Sequence, residues 1–126
     1  MLTIARSGII LHAERYEACV AFYRDRVGLA VEFEKNEPGQ VLALMSFGGA
    51  YLMLEPGGMA RNAVKNTAEN PVTLRLNVLD VEAAARELGA RGVDVTVSRF
   101  EWGVIADFCD PDGNHCQLRE AATFAM

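Results

Sequence analysis

The sequence predicts an α+β fold made of two copies of one βαβββ module. The first observation behind this prediction is an internal repeat, in which matching residues recur at one offset of about half the chain length: Gly28 and Gly92, Gly49 and Gly113, Met53 and Gln117, and Leu54 and Leu118. The second is the order of patterns, because each half reads as a strand, an amphipathic helix and three further strands separated by turns. Such a module places its helix on one face of its sheet.

Composition indicates one compact domain. Of the 126 residues, 51% are hydrophobic and 23% are charged, a balance that favours a buried core over disorder. A net charge of −5 without a basic patch argues against nucleic-acid binding. No apolar run reaches the length of a membrane span, and the N-terminus lacks the pattern of a signal peptide. Three cysteines without a CxxC pair predict reduced thiols in a cytoplasmic protein.

Module one is predicted within residues 1–55. It begins with a strand at 7–13 and continues with a helix over 15–27. The helix is indicated by apolar residues that recur on one helical face, namely Tyr16, Cys19, Val20, Tyr23 and Val27. Gly28 is expected to end the helix. Three strands complete the module, at 29–35, 41–47 and 51–55.

Residues 56–71 are predicted to link the two modules. The stretch is polar, is bounded by Pro56 and Pro71, and contains Gly57 and Gly58. This composition is typical of a loop. We expect a helical turn within it, near residues 60–65.

Module two is predicted within residues 72–126. It begins with a strand at 72–79, and Asp80 is a suitable N-cap for the helix that follows. That helix is indicated by Val81, Ala84, Ala85 and Leu88, which recur at helical spacing, and it is expected to end at Gly89 and Gly92. The remaining strands are predicted at 93–100, 104–109 and 115–119. A strong Asp-Pro-Asp-Gly-Asn turn at 110–114 joins the last two.

Alternation along the strands predicts the face on which a ligand would bind. In module two this face collects polar side chains: Thr73, Arg75, Asn77, His115, Gln117 and Arg119. In module one it collects a more mixed set: Gly8, Ile10, His12, Tyr51 and Met53. If Thr73 lies opposite Gln117 on antiparallel neighbours, Arg75 falls opposite His115.

Arg75 is the most informative residue on this face. A guanidinium on the inner face of a sheet needs an acceptor, because burying it unpaired is costly. It also matches a carboxylate or phosphate through two parallel hydrogen bonds, so Arg75 indicates an anionic ligand. Two structural alternatives remain open, an internal pair with Asp107 or Glu55 and a side chain that simply reaches solvent.

The two histidines each allow two interpretations. His12 and His115 are either hydrogen-bonded histidines at strand ends or groups available for acid–base chemistry. A metal site built from His12, Glu55 and His115 is a further possibility that the sequence leaves open.

Aromatic residues and one cysteine have the same ambiguity. Phe33, Phe47, Tyr51 and Trp102 either line a pocket for a planar ligand or pack in the core. Cys109 directly precedes the final turn, but no activating base lies near it in sequence. We therefore interpret Cys109 as a structural thiol.

In this order and spacing, the motifs resemble those of the vicinal oxygen chelate superfamily, which includes glyoxalase I, bleomycin-resistance proteins and extradiol dioxygenases. The matching segments are 21–25, 27–29 and 52–55 in module one, and Asp80 with its alanine-rich helix, 102–103 and 110–114 in module two. The resemblance covers nearly the whole chain. It implies paired modules that form a curved mixed sheet with a cleft, and it implies a homodimer.

The resemblance also implies where a metal would bind. Family members with metal chemistry usually carry His, Glu, His and Glu at the positions that match Gly8, Met53, Thr73 and Gln117 here. Glycine has no side chain, methionine offers a soft thioether, threonine is a poor ligand, and glutamine brings no charge. The sequence therefore predicts no metal at the family position and no cofactor.

The function predicted from these residues is metal-free binding of a planar or anionic small molecule, as in the bleomycin-resistance branch. The side chains expected to contact the ligand are Arg75, His115, Gln117, Trp102, Tyr51, Met53, His12 and Asn77. The alternative is a glyoxalase-like lyase, isomerase or dioxygenase that uses a relocated metal or histidine acid–base chemistry. A third hypothesis is a structural or regulatory module without a ligand. No catalytic residue is assigned.

Overall fold

A computed structural model describes residues 1–123, and the chain divides into two compact units. The first unit comprises residues 1–60, and the second begins at Arg61. Each unit contains one four-stranded mixed sheet and one helical element. The α+β class and the paired βαβββ plan predicted from the sequence are therefore confirmed.

The first unit follows the predicted order of elements. Strand β1 spans Gly8–Ala13 and helix α1 spans Tyr16–Ala21, and a π-helical segment, Phe22–Val27, continues the helix. Strands β2, β3 and β4 follow at Val31–Glu37, Gln40–Phe47 and Ala50–Pro56.

The predicted helix of module one ends where the sequence indicated, but its second half is wider than an α-helix. The backbone N–H of Gly28 donates to the carbonyl of Tyr23, five residues earlier, whereas an α-helix bonds to the carbonyl four residues earlier. Gly28 has φ of +89°, the left-handed conformation that glycine adopts at helix ends without steric cost.

The sheet of the first unit has the strand order β1-β4-β3-β2. Strands β1 and β4 are parallel, and the other neighbours are antiparallel. The helix packs on β4 and β1. The buried core beneath it consists of apolar side chains: Ala13, Cys19, Val20, Phe22, Tyr23, Ala43, Met45, Leu52 and Leu54.

The second unit repeats this plan. Strand β5 spans Leu74–Val78, helix α2 spans Val81–Ala90, and strands β6, β7 and β8 span Thr96–Phe100, Gly103–Cys109 and His115–Glu120. The strand order is β5-β8-β7-β6, with β5 and β8 parallel. The core against α2 consists of Leu74, Val81, Ala85, Leu88, Val93, Ala106, Phe108, Cys116 and Leu118.

Parallel pairing of β5 with β8 corrects one prediction. Arg75 lies opposite Gln117, and Thr73 bonds to His115, so the antiparallel alignment of Thr73 with Gln117 is wrong. The physical reason is connectivity. The α2 crossover and the β6-β7-β8 meander bring the last strand back beside the first in the same direction.

Residues 61–70 form a loop that lies over the turn between β7 and β8. The backbone N–H groups of Arg61 and Lys65 donate to the carbonyls of Asp112 and Gly113 at 2.9 and 2.8 Å. The N–H of Lys65 therefore bonds to the turn and not to the carbonyl of Arg61, so the helical turn predicted near 60–65 is wrong. The loop buries Asp112 completely and Asn114 almost completely.

Within residues 1–123, none of the helices combines the length and the apolar character needed to cross a bilayer.

Candidate functional site

The face of the second sheet opposite α2 carries a connected set of polar side chains. The register aligns Arg75, Gln117 and Asp107 in one row across β5, β8 and β7. His115 lies two residues before Gln117 on β8, and it is on the same face because alternate residues of a strand point the same way. We call this surface the polar face, comprising Thr73, Arg75, Asn77, Asp107, His115 and Gln117.

Asp107 is the centre of the hydrogen bonds on the polar face. Its Oδ1 atom lies 2.7 Å from Nε2 of His115 and accepts a hydrogen bond of 2.9 Å from Nε2 of Gln117. About a third of the Asp107 side chain is exposed. One carboxylate oxygen therefore fixes the rotamers of two neighbouring side chains on β8.

Arg75 extends this set at the edge of the sheet. Its Nε donates to Oε1 of Gln117 at 2.8 Å, while the Nε2 group of the same amide is bonded to Asp107. Gln117 is 9% exposed, whereas Arg75 is exposed. Within residues 1–123, the only bond of the Arg75 guanidinium is the one made by Nε, which leaves its two terminal nitrogens without a protein acceptor.

The two carboxylates predicted as possible partners of Arg75 both have other partners. Asp107 binds His115 and Gln117, and Glu55 lies 3.4 Å from His12 through Oε2 and Nε2. Neither carboxylate forms an ion pair with Arg75 among the described residues. Arg75 is instead an oriented, solvent-facing guanidinium.

His115 connects Asp107 to a hydroxyl. Its Nδ1 lies 2.9 Å from Oγ1 of Thr73, an exposed residue next to the first residue of β5. An ionised carboxylate only accepts hydrogen bonds, so Asp107 requires the proton of the neutral imidazole on Nε2. Nδ1 is then the acceptor, and the Thr73 hydroxyl donates to it.

Asn77 and Trp102 lie farther along the same side of the sheet. Asn77 is exposed and lies opposite Arg119, whose Nη2 donates to the carbonyl of Trp102 at 3.1 Å. The Arg119 guanidinium carbon lies 4.5 Å from the centre of the Trp102 ring. Trp102 also stacks on Phe100 with 4.7 Å between ring centres. Both rings are about half exposed, so Trp102 is part of a surface pair and not of the core.

In the first unit, the ring of Tyr51 lies over Gly8. A Cβ atom added to Gly8 would lie 2.4 Å from that ring, so glycine is required by this close approach. Arg6 lies above the same ring at 5.5 Å and forms hydrogen bonds with Glu32. These bonds, with one from Ser46, lower the pKa of Glu32 to about 2.

Met53 and His12 lie in adjacent rows of the first sheet. Met53 is opposite Ile10, and His12 is opposite Glu55. More than half of the His12 side chain is exposed. The two residues therefore lie on the face that alternation predicted, and Nε2 of His12 lies 3.4 Å from the Glu55 carboxylate.

The donor groups do not suit the metal that the fold family implies. The side chain of Gln117 is held by Arg75 and Asp107, that of Thr73 by His115, and Gly8 is covered by Tyr51. In residues 1–123, no three His, Cys, Asp or Glu side chains lie close enough together to hold an ion.

Cys109 is a poor candidate for a nucleophile at this site. Burial raises the pKa of its thiol, and the nearby carboxylates of Asp110 and Asp94 raise it further. The thiol therefore stays protonated and a poor nucleophile at neutral pH.

Surface grooves lie elsewhere in both units. A groove of about 550 Å³ runs between α2 and β6, beside Glu82, Arg86 and Arg99, and one of about 460 Å³ runs between α1 and β2. None of the residues of the polar face lines either groove. We locate the candidate site on the polar face, because its side chains form one connected set of hydrogen bonds across three strands.

Sequence reasoning missed Asp107 on the polar face and Phe100, which stacks on Trp102. Asp107 was considered only as a partner for Arg75, and Phe100 was not considered. The hairpin contains the missing signal for Asp107, because counting back from the turn at 110–114 pairs His115 with Cys109 and Gln117 with Asp107.

Comparisons with known proteins agree with this architecture. A model of the Glyoxalase/Bleomycin resistance protein/Dioxygenase superfamily matches residues 8–118. A comparison with curated proteins found no match.

Three solved structures illustrate the likeness. TnmS3, an antibiotic binding protein from Streptomyces sp. CB03234, has a TM-score of 0.71 and 24% identity, covering 95% of this chain and 98% of its own. A glyoxalase/bleomycin resistance protein from the same Streptomyces has a TM-score of 0.68 and 23% identity, covering 92% and 100%. Lactoylglutathione lyase from Agrobacterium tumefaciens has a TM-score of 0.71 and 23% identity, covering 97% of each chain.

Proposed function

We propose that this chain, which belongs to the Glyoxalase/Bleomycin resistance protein/Dioxygenase superfamily, binds an anionic small molecule on its polar face without a metal. The ligand would carry a carboxylate or phosphate and a planar group. Supporting this proposal, the antibiotic binding protein TnmS3 shares the fold.

The observation that carries the proposal is the orientation of Arg75. Its Nε bonds to Gln117, and Gln117 is in turn held by Asp107. A guanidinium fixed at Nε loses less conformational entropy when it binds an anion than a freely rotating one does. Its terminal nitrogens then offer the paired donors that match a carboxylate.

The planar part of the ligand is supported by Phe100 and Trp102. Alternation places Phe100 on the same side as Thr96, on β6 at the edge of the sheet opposite β5. The stacked, half-exposed rings provide a flat apolar surface beside the Arg119 guanidinium. Pockets for aromatic ligands combine these features.

A binding titration with substituted variants tests this function. Aromatic carboxylates and their neutral amides are titrated into the full chain by calorimetry. We expect carboxylates to bind at least about tenfold more tightly than the amides, as one charge-assisted pair contributes about 1.5–3 kcal/mol. Arg75→Gln should abolish this difference.

Arg99→Gln is the matched control. Arg99 is also exposed, but it pairs with Glu82 of α2 and lies on the other side of the sheet. Its substitution should leave carboxylate affinity intact. Equal affinity for acids and amides, or equal loss in both variants, would contradict the proposal.

A glyoxalase-like lyase, isomerase or dioxygenase is the second candidate, favoured by the contact between His115 and Asp107. A carboxylate at 2.7 Å orients the ring and stabilises the imidazolium that forms during proton transfer. His115→Gln should then remove turnover of a substrate with an acidic C–H group, while His12→Gln should not. Turnover that survives His115→Gln would rule out this role.

The family also supports a cytoplasmic homodimer. Light scattering on the purified chain tests the assembly, and a mass of one chain at micromolar concentration would contradict it.

A further inference from the structure

We propose that Thr73 is the nucleophile of an acyl-transfer site formed by Thr73, His115 and Asp107. This activity differs from the metal chemistry of the family and uses only side chains of the second unit. It relies on the proposed anion site solely for the charge that a preferred acyl donor would carry.

Thr73, His115 and Asp107 form one chain of hydrogen bonds. Oγ1 of Thr73 lies 2.9 Å from Nδ1 of His115, and Nε2 of His115 lies 2.7 Å from Oδ1 of Asp107. Hydroxyl, imidazole and carboxylate therefore follow one another at hydrogen-bond distance, as in a Ser-His-Asp triad. The two ring nitrogens exchange positions relative to that triad, but each still has one partner.

In this chain each hydrogen bond is donated toward Asp107. The Asp107 carboxylate accepts from Nε2–H, so Nδ1 presents its lone pair to the Thr73 hydroxyl. A base that already accepts the hydroxyl proton is the arrangement that activates an alcohol for attack. The opposite tautomer would place a lone pair against the carboxylate and is disfavoured.

The three side chains are held in place and are also accessible to solvent. Asp107 is also held by Gln117 at 2.9 Å, which fixes the carboxylate that orients the ring. His115 and Asp107 are 29% and 34% exposed, and Thr73 is exposed. The hydroxyl can therefore meet an acyl donor from solvent while its base remains oriented.

The reaction is a simple acyl transfer. Oγ1 attacks the carbonyl carbon of an ester, and its proton moves to Nδ1 of His115. The bond from that carbon to the leaving oxygen breaks, and the leaving group takes the proton as the alcohol. Water then attacks the carbonyl carbon of the acyl-Thr73 ester and gives one proton to Nδ1 of His115. The bond from that carbon to Oγ1 breaks, His115 passes the proton to Oγ1, and the acyl group leaves as the carboxylic acid.

The position of Arg75, two residues after Thr73, suggests the class of substrate. Thr73 and Arg75 are two residues apart on one strand face, which separates their Cα atoms by about 6.6 Å. An activated ester whose acyl chain ends in a carboxylate can therefore place its carbonyl at Thr73 and its charge toward Arg75. Succinyl or glutaryl esters have this form.

The test is acylation of the full chain by 4-nitrophenyl acetate. We expect release of nitrophenolate and an acetyl group on Thr73, located by peptide mass spectrometry. Thr73→Val should remove the adduct and lower the rate at least about tenfold, and Thr73→Ser should restore both. His115→Gln and Asp107→Asn should each lower the rate by about tenfold to a hundredfold, typical of lost general-base catalysis.

Thr96→Val is the matched control, because Thr96 is an exposed threonine opposite Asp107 without a bond to a histidine. Its rate should equal that of the unsubstituted chain. Circular dichroism confirms that each variant is folded. An adduct only on lysine or the N-terminus, or a rate that persists in Thr73→Val but not in His115→Gln, would overturn the assignment of Thr73.

A second comparison separates this inference from the proposed function. The rates with 4-nitrophenyl acetate and with its succinyl analogue are measured for the original chain and for Arg75→Gln. A preference for the succinyl ester that Arg75→Gln reduces supports both proposals. Acylation of Thr73 without such a preference overturns the anion site alone, and tight carboxylate binding without acylation overturns the nucleophile alone.

Discussion

At the scale of single residues, hydrogen bonds to carboxylates determine which side chains are fixed. Asp107 orients His115 and Gln117 on the second sheet. In the first unit, Glu32 accepts from Arg6 and Ser46. In both cases one carboxylate restricts two other side chains, so the contacts of each surface depend on that residue.

The pKa of Glu32 gives the first prediction. The hydrogen bonds from Arg6, and then from Ser46, hold this pKa at about 2, below its ordinary value of 4.5. Arg6→Gln should raise it toward 4.5, and Ser46→Ala should raise it less. Carboxyl carbon chemical shifts, followed by NMR as the pH is lowered, measure both changes.

The sign of the linked stability follows from the same shift. The folded-state pKa is lower than the unfolded one, so the stabilisation is complete above pH 4.5 and is lost as the pH falls toward 2. The Arg6→Gln variant should lose less stability than the unsubstituted chain across this range. A Glu32 pKa that does not move in Arg6→Gln would show that another contact sets it.

Gly113 gives the second prediction, because an alanine there would have both an unfavourable backbone conformation and a steric clash. Its φ is +86°, and an added Cβ would lie 2.4 Å from the backbone oxygen of Ala63. Gly113→Ala should destabilise the chain by about 1–2 kcal/mol for the conformation and by about 1–3 kcal/mol more for the clash. Urea denaturation measures the total.

Gly39→Ala isolates the conformational cost. Gly39 has φ of +78°, but no atom lies within 4 Å of an added Cβ. This variant should lose only about 1–2 kcal/mol. Equal losses in the two variants would mean that the loop at 61–70 moves aside and that its contact with the turn is weak.

At the scale of elements, helix α2 shows how sequence signals translate into structure. Asp80 accepts a hydrogen bond from the backbone N–H of Ala83 at 3.0 Å, as its N-cap position predicted. The helix then buries Val81, Ala85 and Leu88 against the sheet. Local capping and helical spacing therefore act together to position the α2 crossover between β5 and β6.

Asp80→Ala tests the cap. Loss of the side-chain acceptor should lower the free energy of unfolding by about 0.5–2 kcal/mol, measured by urea denaturation. Asp80→Asn should retain most of the stability, because its amide oxygen accepts the same bond. A loss as large in Asp80→Asn as in Asp80→Ala would indicate that charge, and not the hydrogen bond, stabilises the helix start.

The pairing of β5 with β8 also belongs to this scale. Alternation predicted which residues share a face, but the parallel direction changed which of them meet. Arg75 bonds to Gln117, and His115 bonds to Thr73 and Asp107. The acyl-transfer proposal depends on this register, since the predicted antiparallel pairing would have placed His115 opposite Arg75.

At the scale of the whole molecule, two units of one plan occur in a chain that belongs to a family known for metal sites. The four positions that would supply ligands carry Gly8, Met53, Thr73 and Gln117. Three of them already have other contacts: Tyr51 covers Gly8, His115 bonds to Thr73, and Arg75 and Asp107 each bond to Gln117.

We therefore predict that the chain binds no divalent metal. Protein purified without a histidine tag and incubated with Mg²⁺, Mn²⁺, Fe²⁺, Ni²⁺ or Zn²⁺ should retain far less than one ion per chain after dialysis, as measured by elemental analysis. Its melting temperature should not change with these ions, since only a bound ligand stabilises the folded state. One tightly held ion per chain would contradict the prediction and favour a relocated site.

Sequence alone determined the α+β class, the repeated βαβββ plan, the N-cap at Asp80 and the helix end at Gly28. It did so because these features depend on local periodicity, on capping chemistry and on glycine conformation, all of which are properties of short segments. The family resemblance and the loss of the usual ligand residues were likewise visible in the residues themselves.

Only the tertiary structure decided the direction of β8, the path of residues 61–70 over the final turn, and the contacts of Asp107, His115 and Thr73. Each of these joins segments far apart in sequence. Their geometry depends on how strands pair across a sheet, and the residues of one strand do not specify the partner they will meet. For this reason the fold could be predicted from the sequence, while the arrangement of the candidate site could not.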